Sequence, residues 1–195
     1  MAGRSLRHSK AAVVYTHTYS SPVGPLYLAL DRWGRVLGIS FVSRPDLGGG
    51  VKYEENRWAC GELAWQLNEY FAGRLEQFSV DVALTGTPFQ VEVWKRLRKI
   101  PYGEVMSYGV VAQKIGRQRA AQAVGNAVAA NPVPLIVPCH RVVRTDGDIG
   151  EYAARSLGSY RGRQVKAELL RIEGTFERLS QPTLFPAAGA SQTSA

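Results

Sequence analysis

One cysteine stands beside a histidine and an arginine at the end of a stiff, apolar run. Cys139 is followed by His140 and Arg141, and nearby positive charge or a histidine makes the nucleophilic thiolate easier to form. Three prolines within residues 132–138 fix φ and remove backbone donors, which predicts a rigid approach rather than a helix. The charged and imidazole neighbours are compatible with a nucleophile, and a buried structural cysteine at the end of a strand stays open as the alternative.

The rest of the composition excludes several classes of protein. The only other cysteine, Cys60, is interpreted as structural, and two cysteines are too few for a disulfide framework. No Cys-x-x-Cys or His-x-x-x-His spacing indicates a metal site. No run approaches the roughly 18 apolar residues that span a membrane, and residues 1–10 do not resemble a signal peptide. We therefore expect a cytoplasmic protein with no metal, no cofactor and no membrane partner.

Positive charge is concentrated in the second half of the chain. Of a net charge of +8, residues 1–87 contribute little, with 9 lysines and arginines against 8 acidic residues. Residues 88–174 carry 14 against 7. A basic half indicates an anionic partner, and nucleic acid is the commonest one. A solvated basic face without a partner is the alternative.

Alternating apolar residues and turn residues predict an N-terminal α/β part spanning residues 1–86. Its last residues before the boundary, from Phe78 to Leu84, are expected to form a strand. The other predicted elements are strands near 12–16, 26–30 and 36–42, a loop over 44–52, and a helix from about Glu55 to Phe71.

Residues 87–174 are predicted to be mainly helical, and residues 175–195 are expected to be a disordered tail. Thr87 can cap a helix that begins at Pro88. The predicted elements after it are the end of that helix at Pro101-Tyr102-Gly103, a short helix from Ser107 to Ile115, a turn at Gly116 and a helix from about Gln118 to Ala130. Two short helices joined by a glycine turn are typical of a helix-turn-helix.

The second helix of this motif is rich in alanine and glycine. Arg119 and Gln122 are its only long polar side chains near the start, whereas helices that read the major groove carry arginine, asparagine or glutamine. A surface of small residues permits close approach to the minor groove, where shape and backbone contacts dominate. Packing against the protein's own core explains the composition equally well.

The chain resembles the O6-alkylguanine-DNA alkyltransferases, densely over residues 87–174 and loosely before them. Its Pro-Cys-His-Arg-Val run preceded by Asn-Pro is the most specific element. The residues that carry the resemblance are Thr87–Gln90 with Trp94, Ile100–Val105, Ser107-Tyr108, Ala120-Ala121, Ala123–Gly125, Asn131–Val143, Lys166, Leu169-Leu170 and Glu173-Gly174.

The resemblance implies a fold, a reaction and a partner. The fold is an N-terminal α/β ribonuclease-H-like domain, here in a supporting role, followed by a mainly α winged helix-turn-helix domain. The reaction is direct, irreversible transfer of an alkyl group from O6 of guanine, and from O4 of thymine, in DNA to Cys139. Each molecule acts once. The partner is double-stranded DNA, bound through its minor groove by a monomer, with the damaged base rotated out of the stack.

The resemblance also assigns roles to individual residues. A water would link His140 to Cys139, Glu173 would orient His140, and Asn131 would pin the turn before the nucleophile. Tyr108 would crowd the neighbouring phosphate and donate to guanine N3. The backbones of Cys139, Val142 and Ala153 would bind the guanine edges, Val128 and Tyr152 would form apolar walls, and Ala121, Gln122, Ala123, Gly125 and Arg141 would contact DNA.

Three positions depart from the family pattern. Gln122 stands where an arginine usually fills the gap left by the rotated base, which predicts weaker base rotation or slower repair. Glu151 replaces the usual asparagine or glycine before Tyr152. A longer basic loop over residues 153–163 replaces a short glycine-rich one, with a wider alkyl pocket or added phosphate contacts as its expected effects.

Two other classes of function are weighed against alkyl transfer. A module that binds alkylated bases without repairing them would lack the nucleophile, and Cys139 is present. A thiol hydrolase would need a histidine that reaches Cys139 directly, and of the three histidines in the chain none is well placed for that.

Overall fold

The computed structural model describes residues 12–152 and 157–179. It contains both strands and helices, as expected for an α/β protein: four strands come first, and helices predominate from residue 61 onward. The strands are β1 (Ala12–Ser21), β2 (Gly24–Asp31), β3 (Val36–Ser40), β4 (Val51–Glu55), β5 (Met106–Ser107) and β6 (Val142–Val143). The helices are α1 (Gly61–Phe71), α2 (Pro88–Leu97), α3 (Tyr108–Lys114), α4 (Ala121–Ala129), α5 (Ser159–Ile172) and α6 (Phe176–Leu179), with a 3-10 turn at Cys139–Arg141.

A four-stranded sheet forms the N-terminal part, in the order β3-β2-β1-β4. β1, β2 and β3 pair antiparallel, and β4 adds to β1 in parallel. Leu26 and Leu28 of β2 are fully buried, and α1 buries Leu63, Leu67 and Tyr70 in the same apolar cluster. The meander expected for the first three strands is confirmed.

Several expectations for the N-terminal part are wrong. Residues 51–55 form β4, where a loop was expected up to residue 52 and a helix from about Glu55; the strand is polar and mostly exposed, so its sequence has no buried alternation. The segment 78–84 makes only one bridge, between Val36 and Val82, instead of a strand. Helix α1 starts at Gly61, because residues 56–60 turn around the side chain of Asn56.

The C-terminal part begins with a reciprocal cap. The Thr87 hydroxyl accepts from the Gln90 amide, and the Gln90 side chain accepts from the Thr87 amide, with Pro88 as the first helical residue. Helix α2 then ends at Leu97, before the predicted stop. Trp94 crosses to α4, where its indole Nε1 donates to the carbonyl of Ala127 over 2.8 Å.

Helices α3 and α4 are joined by a turn in which Gly116 has φ of +70°, a conformation that glycine adopts without strain. Ser107 caps α3, as expected. Helix α4 starts at Ala121 rather than Gln118, since residues 117–120 belong to the turn. The short strands β5 and β6 pair in parallel beside this motif.

The end of the chain is more regular than predicted. Helix α5 starts at Ser159, so residues 159–163 are helical and not part of a loop, while residues 153–156 lie outside the described part. Thr175 is buried and α6 follows it, so residues 175–179 are ordered; residues 180–195 lie outside the described part. No helix among the described residues is long and apolar enough to cross a membrane.

One large apolar cluster joins the two parts of the chain. It includes Leu28 and Leu67 from the N-terminal sheet and α1, and Trp94, Val137 and Leu169 from the C-terminal part. The β3 amide of Ile39 also donates to the carbonyl of Pro132 over 2.9 Å. The sheet is therefore packed directly against the segment that leads to Cys139.

Candidate active site

Cys139 opens a 3-10 turn at the wall of a cavity of about 750 Å³. Its side chain is 6% exposed, which leaves a small part accessible from the cavity. Cys139 and His140 lie on this tight turn and not on extended backbone. The residues around the cavity come from β3, α3, α4 and the segment after β6, and include Ile39, Ser40, Phe41, Tyr108, Gln122, Gly125, Val128, Asn131, Arg144, Glu151 and Tyr152.

Asn131 holds the segment that carries the thiol. Its amide Nδ2 donates to the carbonyl of Val137 over 2.8 Å and to the sulfur of Cys139 over 3.0 Å. Its Oδ1 accepts from the amide of Val133 over 3.1 Å. Three bonds from one side chain close the loop 131–139 on itself.

The environment of Cys139 keeps the resting thiol protonated. Burial raises its pKa, opposed by the hydrogen bond from Asn131, by the nearby Tyr152 hydroxyl and by the charge of Lys166. Tyr152 lies close to the sulfur without reaching hydrogen-bond geometry, and its hydroxyl has no hydrogen-bond partner among the described residues. A base must therefore remove the proton when the thiol reacts.

Lys166 is a fully buried cation behind the thiol. Its Nζ donates to the carbonyl of Val142 over 2.6 Å, and burial lowers its pKa to about 8 although the neighbouring Cys139 and Asp148 favour the charged form. A thiolate at Cys139 stabilises the charged lysine, and the charged lysine stabilises the thiolate in return.

His140 and Glu173 form a buried pair. The distance between His140 Nε2 and Glu173 Oε1 is 2.8 Å, and both side chains are fully enclosed. Although burial raises the pKa of Glu173, His140 and Arg141 lower it to about 2. An ionised carboxylate only accepts, so Nε2 carries the proton of the neutral ring. Burial lowers the pKa of His140, and its Nδ1 has no hydrogen-bond partner in the described part of the chain.

Arg141 was expected to contact DNA, and the structure corrects this. Its side chain is 7% exposed and donates through Nε and Nη2 to both oxygens of Glu173, at 2.9 and 3.0 Å. Its Nη1 donates to the carbonyl of Ile100. A guanidinium held in this way cannot reach a phosphate, and its charge is used within the protein to keep Glu173 ionised.

The predicted substrate-binding residues are partly brought together. Tyr108, Val128 and Tyr152 all border the cavity beside Cys139. Val142 does not border it: its side chain is fully buried, and its carbonyl already accepts from Lys166. Ala153 lies outside the described residues.

The predicted DNA contacts on α4 are accessible to different degrees. Gln122 and Ala123 are exposed, and Ala121 and Gly125 are half-buried. Gly125 faces the ring of Tyr108, 3.9 Å from where a Cβ would stand. The opposite face of α4 buries Val124, Ala127 and Val128. Both explanations of the alanine-rich composition therefore hold in part, since some small residues of α4 pack on the core and others are open to a partner.

Three contributions to the site have no signature in the local sequence. Tyr70, Lys166 and the β3 segment 39–41 gave no local signal, because each joins the site only through long-range packing. Phe41 contacts Tyr152 edge to face with 5.7 Å between ring centroids, and Tyr70 donates to Glu173. Lys166 belonged to the family resemblance, but nothing in its sequence neighbourhood predicted a buried amine.

The α/β fold and the buried thiol, backed by a base and a carboxylate, define a protein whose nucleophile is cysteine. Comparison with known proteins gives the class of that protein. The sequence model of the 6-O-methylguanine DNA methyltransferase DNA-binding domain matches residues 88–175. The methylated-DNA–protein-cysteine methyltransferase of Methanosarcina acetivorans is 39% identical over 167 residues, covering 83% of this chain and 99% of the relative.

Two further relatives agree. The methylated-DNA–protein-cysteine methyltransferase of Mycobacterium tuberculosis is 42% identical over 162 residues, covering 83% of this chain and 93% of the relative. The crystal structure of Mycobacterium tuberculosis OGT in complex with DNA superposes with a TM-score of 0.72 at 36% identity, covering 86% of this chain and all of that one. The chain belongs to the methylated-DNA–protein-cysteine methyltransferase family.

Proposed function

We propose that this protein repairs DNA by moving an alkyl group from O6 of guanine, and from O4 of thymine, to the sulfur of Cys139. The observation that carries the proposal is the placement of Cys139 at the wall of an open cavity, held by Asn131 and backed by the His140–Glu173 pair. The second cysteine is unsuited to this role, because it is fully buried and its pKa is raised to about 11 by burial and by Glu55.

The reaction is a single displacement. The sulfur attacks the alkyl carbon, a carbon–sulfur bond forms, and the bond between that carbon and O6 breaks. The electron pair of the broken bond stays with guanine. The thiol gives up its proton through a water to Nδ1 of His140, and guanine takes that proton up. No step regenerates the thiol, because a thioether is stable, so each molecule reacts once.

The partner is DNA, as it is for the Mycobacterium tuberculosis relative solved in complex with DNA. We infer that the accessible small-residue face of α4 enters the minor groove, with the damaged base rotated into the cavity. Gln122 lies at the cavity edge and fills the gap in the duplex, while Tyr108 crowds the adjacent phosphate. The short helices α3 and α4 with the β5–β6 pair support a winged helix-turn-helix, and the N-terminal sheet supports the ribonuclease-H-like assignment.

The remaining expectations are part of the same proposal. Residues 1–86 and 87–174 form the two domains, and the protein acts on DNA as a monomer in the cytoplasm. Tyr152 and Val128 form apolar walls, and the backbone of Ala153 binds a base edge. Glu151, which borders the cavity, faces the DNA as an acidic group and weakens phosphate binding locally.

Two rival functions are less well supported. A lesion-binding module has no use for a thiol at the wall of a cavity with a buried base behind it. A thiol hydrolase needs a histidine bonded to the thiol, and His140 directs Nε2 to Glu173 while Nδ1 has no partner among the described residues. Repeated turnover of an ester or peptide substrate would support the hydrolase instead.

The two cysteines offer a matched test of the proposal. A duplex with one radiolabelled O6-methylguanine is incubated with the wild type, with Cys139→Ser and with Cys60→Ser. We expect label on the wild type and Cys60→Ser, none on Cys139→Ser, and similar binding of the duplex by all three. Undiminished labelling of Cys139→Ser would refute the assignment of the nucleophile.

A further inference from the structure

The hydroxyl of Tyr70, on the N-terminal helix α1, is buried against the carboxylate of Glu173. It donates to Glu173 Oε1 over 2.8 Å and lies 3.5 Å from Nε2 of His140. The side chain is fully buried, and 103 residues separate Tyr70 from Glu173. A residue of the part expected only to support the fold thus contacts the buried pair behind the thiol.

The Glu173 carboxylate is crowded with donors. Oε1 accepts from Tyr70, His140 and Arg141, while Oε2 accepts from Arg141 and, at 3.4 Å, from the amide of Gly103. An ionised carboxylate has about four lone-pair positions, so these donors fill it. Tyr70 and His140 therefore share Oε1 of Glu173, and the hydrogen bond from the Tyr70 hydroxyl limits how far this oxygen can move with the imidazole ring of His140.

We propose that Tyr70 is a positioning residue for the transfer reaction, acting through Glu173 on His140. Its hydroxyl fixes Oε1, the fixed Oε1 holds the ring of His140 with Nε2–H toward it, and Nδ1 is left free to accept the proton of the thiol. This inference rests on the proposed function. The alternative is a purely structural tyrosine, because its ring also packs against Phe71, Phe78 and Tyr102.

Removal of the hydroxyl has a directional consequence for His140. Glu173 would lose the hydrogen bond from Tyr70 that offsets part of its negative charge. The carboxylate would then stabilise the imidazolium of His140 more strongly, so the pKa of His140 would rise. The neutral base would then be lost at a higher pH. The titratable and charged groups packed around the pair are Cys139, Arg141, Tyr152, Lys166, Tyr70 and Tyr102, and Tyr70→Phe leaves the other five in place.

The test compares Tyr70→Phe with Tyr19→Phe. Tyr19 of β1 supplies a matched control, since its hydroxyl donates over 2.7 Å to Asn68 of α1, the helix that carries Tyr70, away from the site. Single-turnover methyl transfer is measured between about pH 5 and 9, the range in which histidine titrates. We expect Tyr70→Phe to react roughly tenfold more slowly, as for loss of a hydrogen bond to a charged group, with its acid limb moved to higher pH. Tyr19→Phe should follow the wild type.

The outcomes separate this inference from the proposed function. If the wild type transfers methyl groups and Tyr70→Phe gives the same rate and pH profile, the role of Tyr70 is refuted and the function stands. If the wild type transfers nothing, both are refuted. Nitrogen NMR of the wild-type histidines gives a second test that needs no variant: we expect His140 protonated at Nε2, and a proton on Nδ1 of the neutral ring would contradict the proposal.

Discussion

At the scale of single residues, burial and neighbouring charges act in opposite directions on the pKa values of the groups in the site. Burial disfavours the thiolate of Cys139 and the imidazolium of His140, while Lys166 and Glu173 favour them. The result is a resting site in which the thiol and the imidazole are both neutral. A neutral pair costs less to bury than an ion pair, and it places a base with a free nitrogen behind the nucleophile.

The same balance predicts how stability depends on pH. Burial holds the pKa of His140 below its usual 6.5, so the unfolded chain binds this proton first and the free energy of unfolding falls as pH drops through about 6.5. Glu173, with a pKa of about 2 against an ordinary 4.5, adds a further loss as pH falls from about 4.5 toward 2. Urea unfolding at a series of pH values measures both.

The variant His140→Asn tests whether His140 causes the loss of stability as pH drops through about 6.5. His140→Asn cannot take up the proton, so its stability should change less than that of the wild type between neutral pH and about 5. Equal pH dependence of the two proteins in that interval would show that His140 is not the group responsible.

At the scale of elements, the sequence predicted those whose signal is local. The cap at Thr87 and the Ser107 start of α3 depend on side chains within three residues. Strand β4 could not be predicted, because it forms by pairing with the distant strand β1 and its own sequence has no buried alternation. The burial of Arg141 and the contact of Tyr70 with Glu173 depend on packing between distant segments, which no local pattern contains.

The crossing of α5 over Tyr152 gives a prediction at this scale. A Cβ at Gly162 would stand 1.9 Å from the carbonyl oxygen of Tyr152, so the helix can pack against this wall of the cavity only with glycine. We expect Gly162→Ala to lower the free energy of unfolding by about 1–3 kcal/mol and to slow transfer, as Tyr152 is displaced. Denaturant unfolding and single-turnover kinetics measure the two effects.

A second glycine controls for helix propensity. A Cβ at Gly61, in the first turn of α1, has no neighbour within 4 Å. Gly61→Ala should therefore leave stability unchanged or raise it slightly, because alanine favours helices. If both alanine variants behave alike, close packing of α5 on Tyr152 is not what requires glycine at 162.

At the scale of the whole molecule, the two parts of the chain share one core and one site. The N-terminal part supplies the β3 wall of the cavity and the Tyr70 hydroxyl, and the C-terminal part supplies the thiol and most of the positive charge. Because the excess charge lies in residues 88–174, we expect long-range attraction to orient DNA toward that half.

Salt dependence tests this charge distribution. The affinity for undamaged duplex should fall steeply with salt and vary little with base sequence, as phosphate contacts dominate. Arg119 is exposed in the turn before α4 and should contribute to phosphate binding. Arg119→Ala should therefore make the slope of log affinity against log salt less negative by about one. Arg57→Ala removes an exposed arginine from the N-terminal half and should leave the slope unchanged; equal effects would contradict a DNA face on the C-terminal half.

The central claim is that Cys139 accepts one alkyl group from DNA and keeps it. The most direct measurement is the intact and peptide mass of the wild type after incubation with excess duplex carrying O6-methylguanine. We predict one added methyl group per molecule, on the peptide containing Cys139, with no further increase at longer times. An unchanged mass together with preferential binding of the damaged duplex would contradict the claim, and would indicate a protein that recognises the lesion without repairing it.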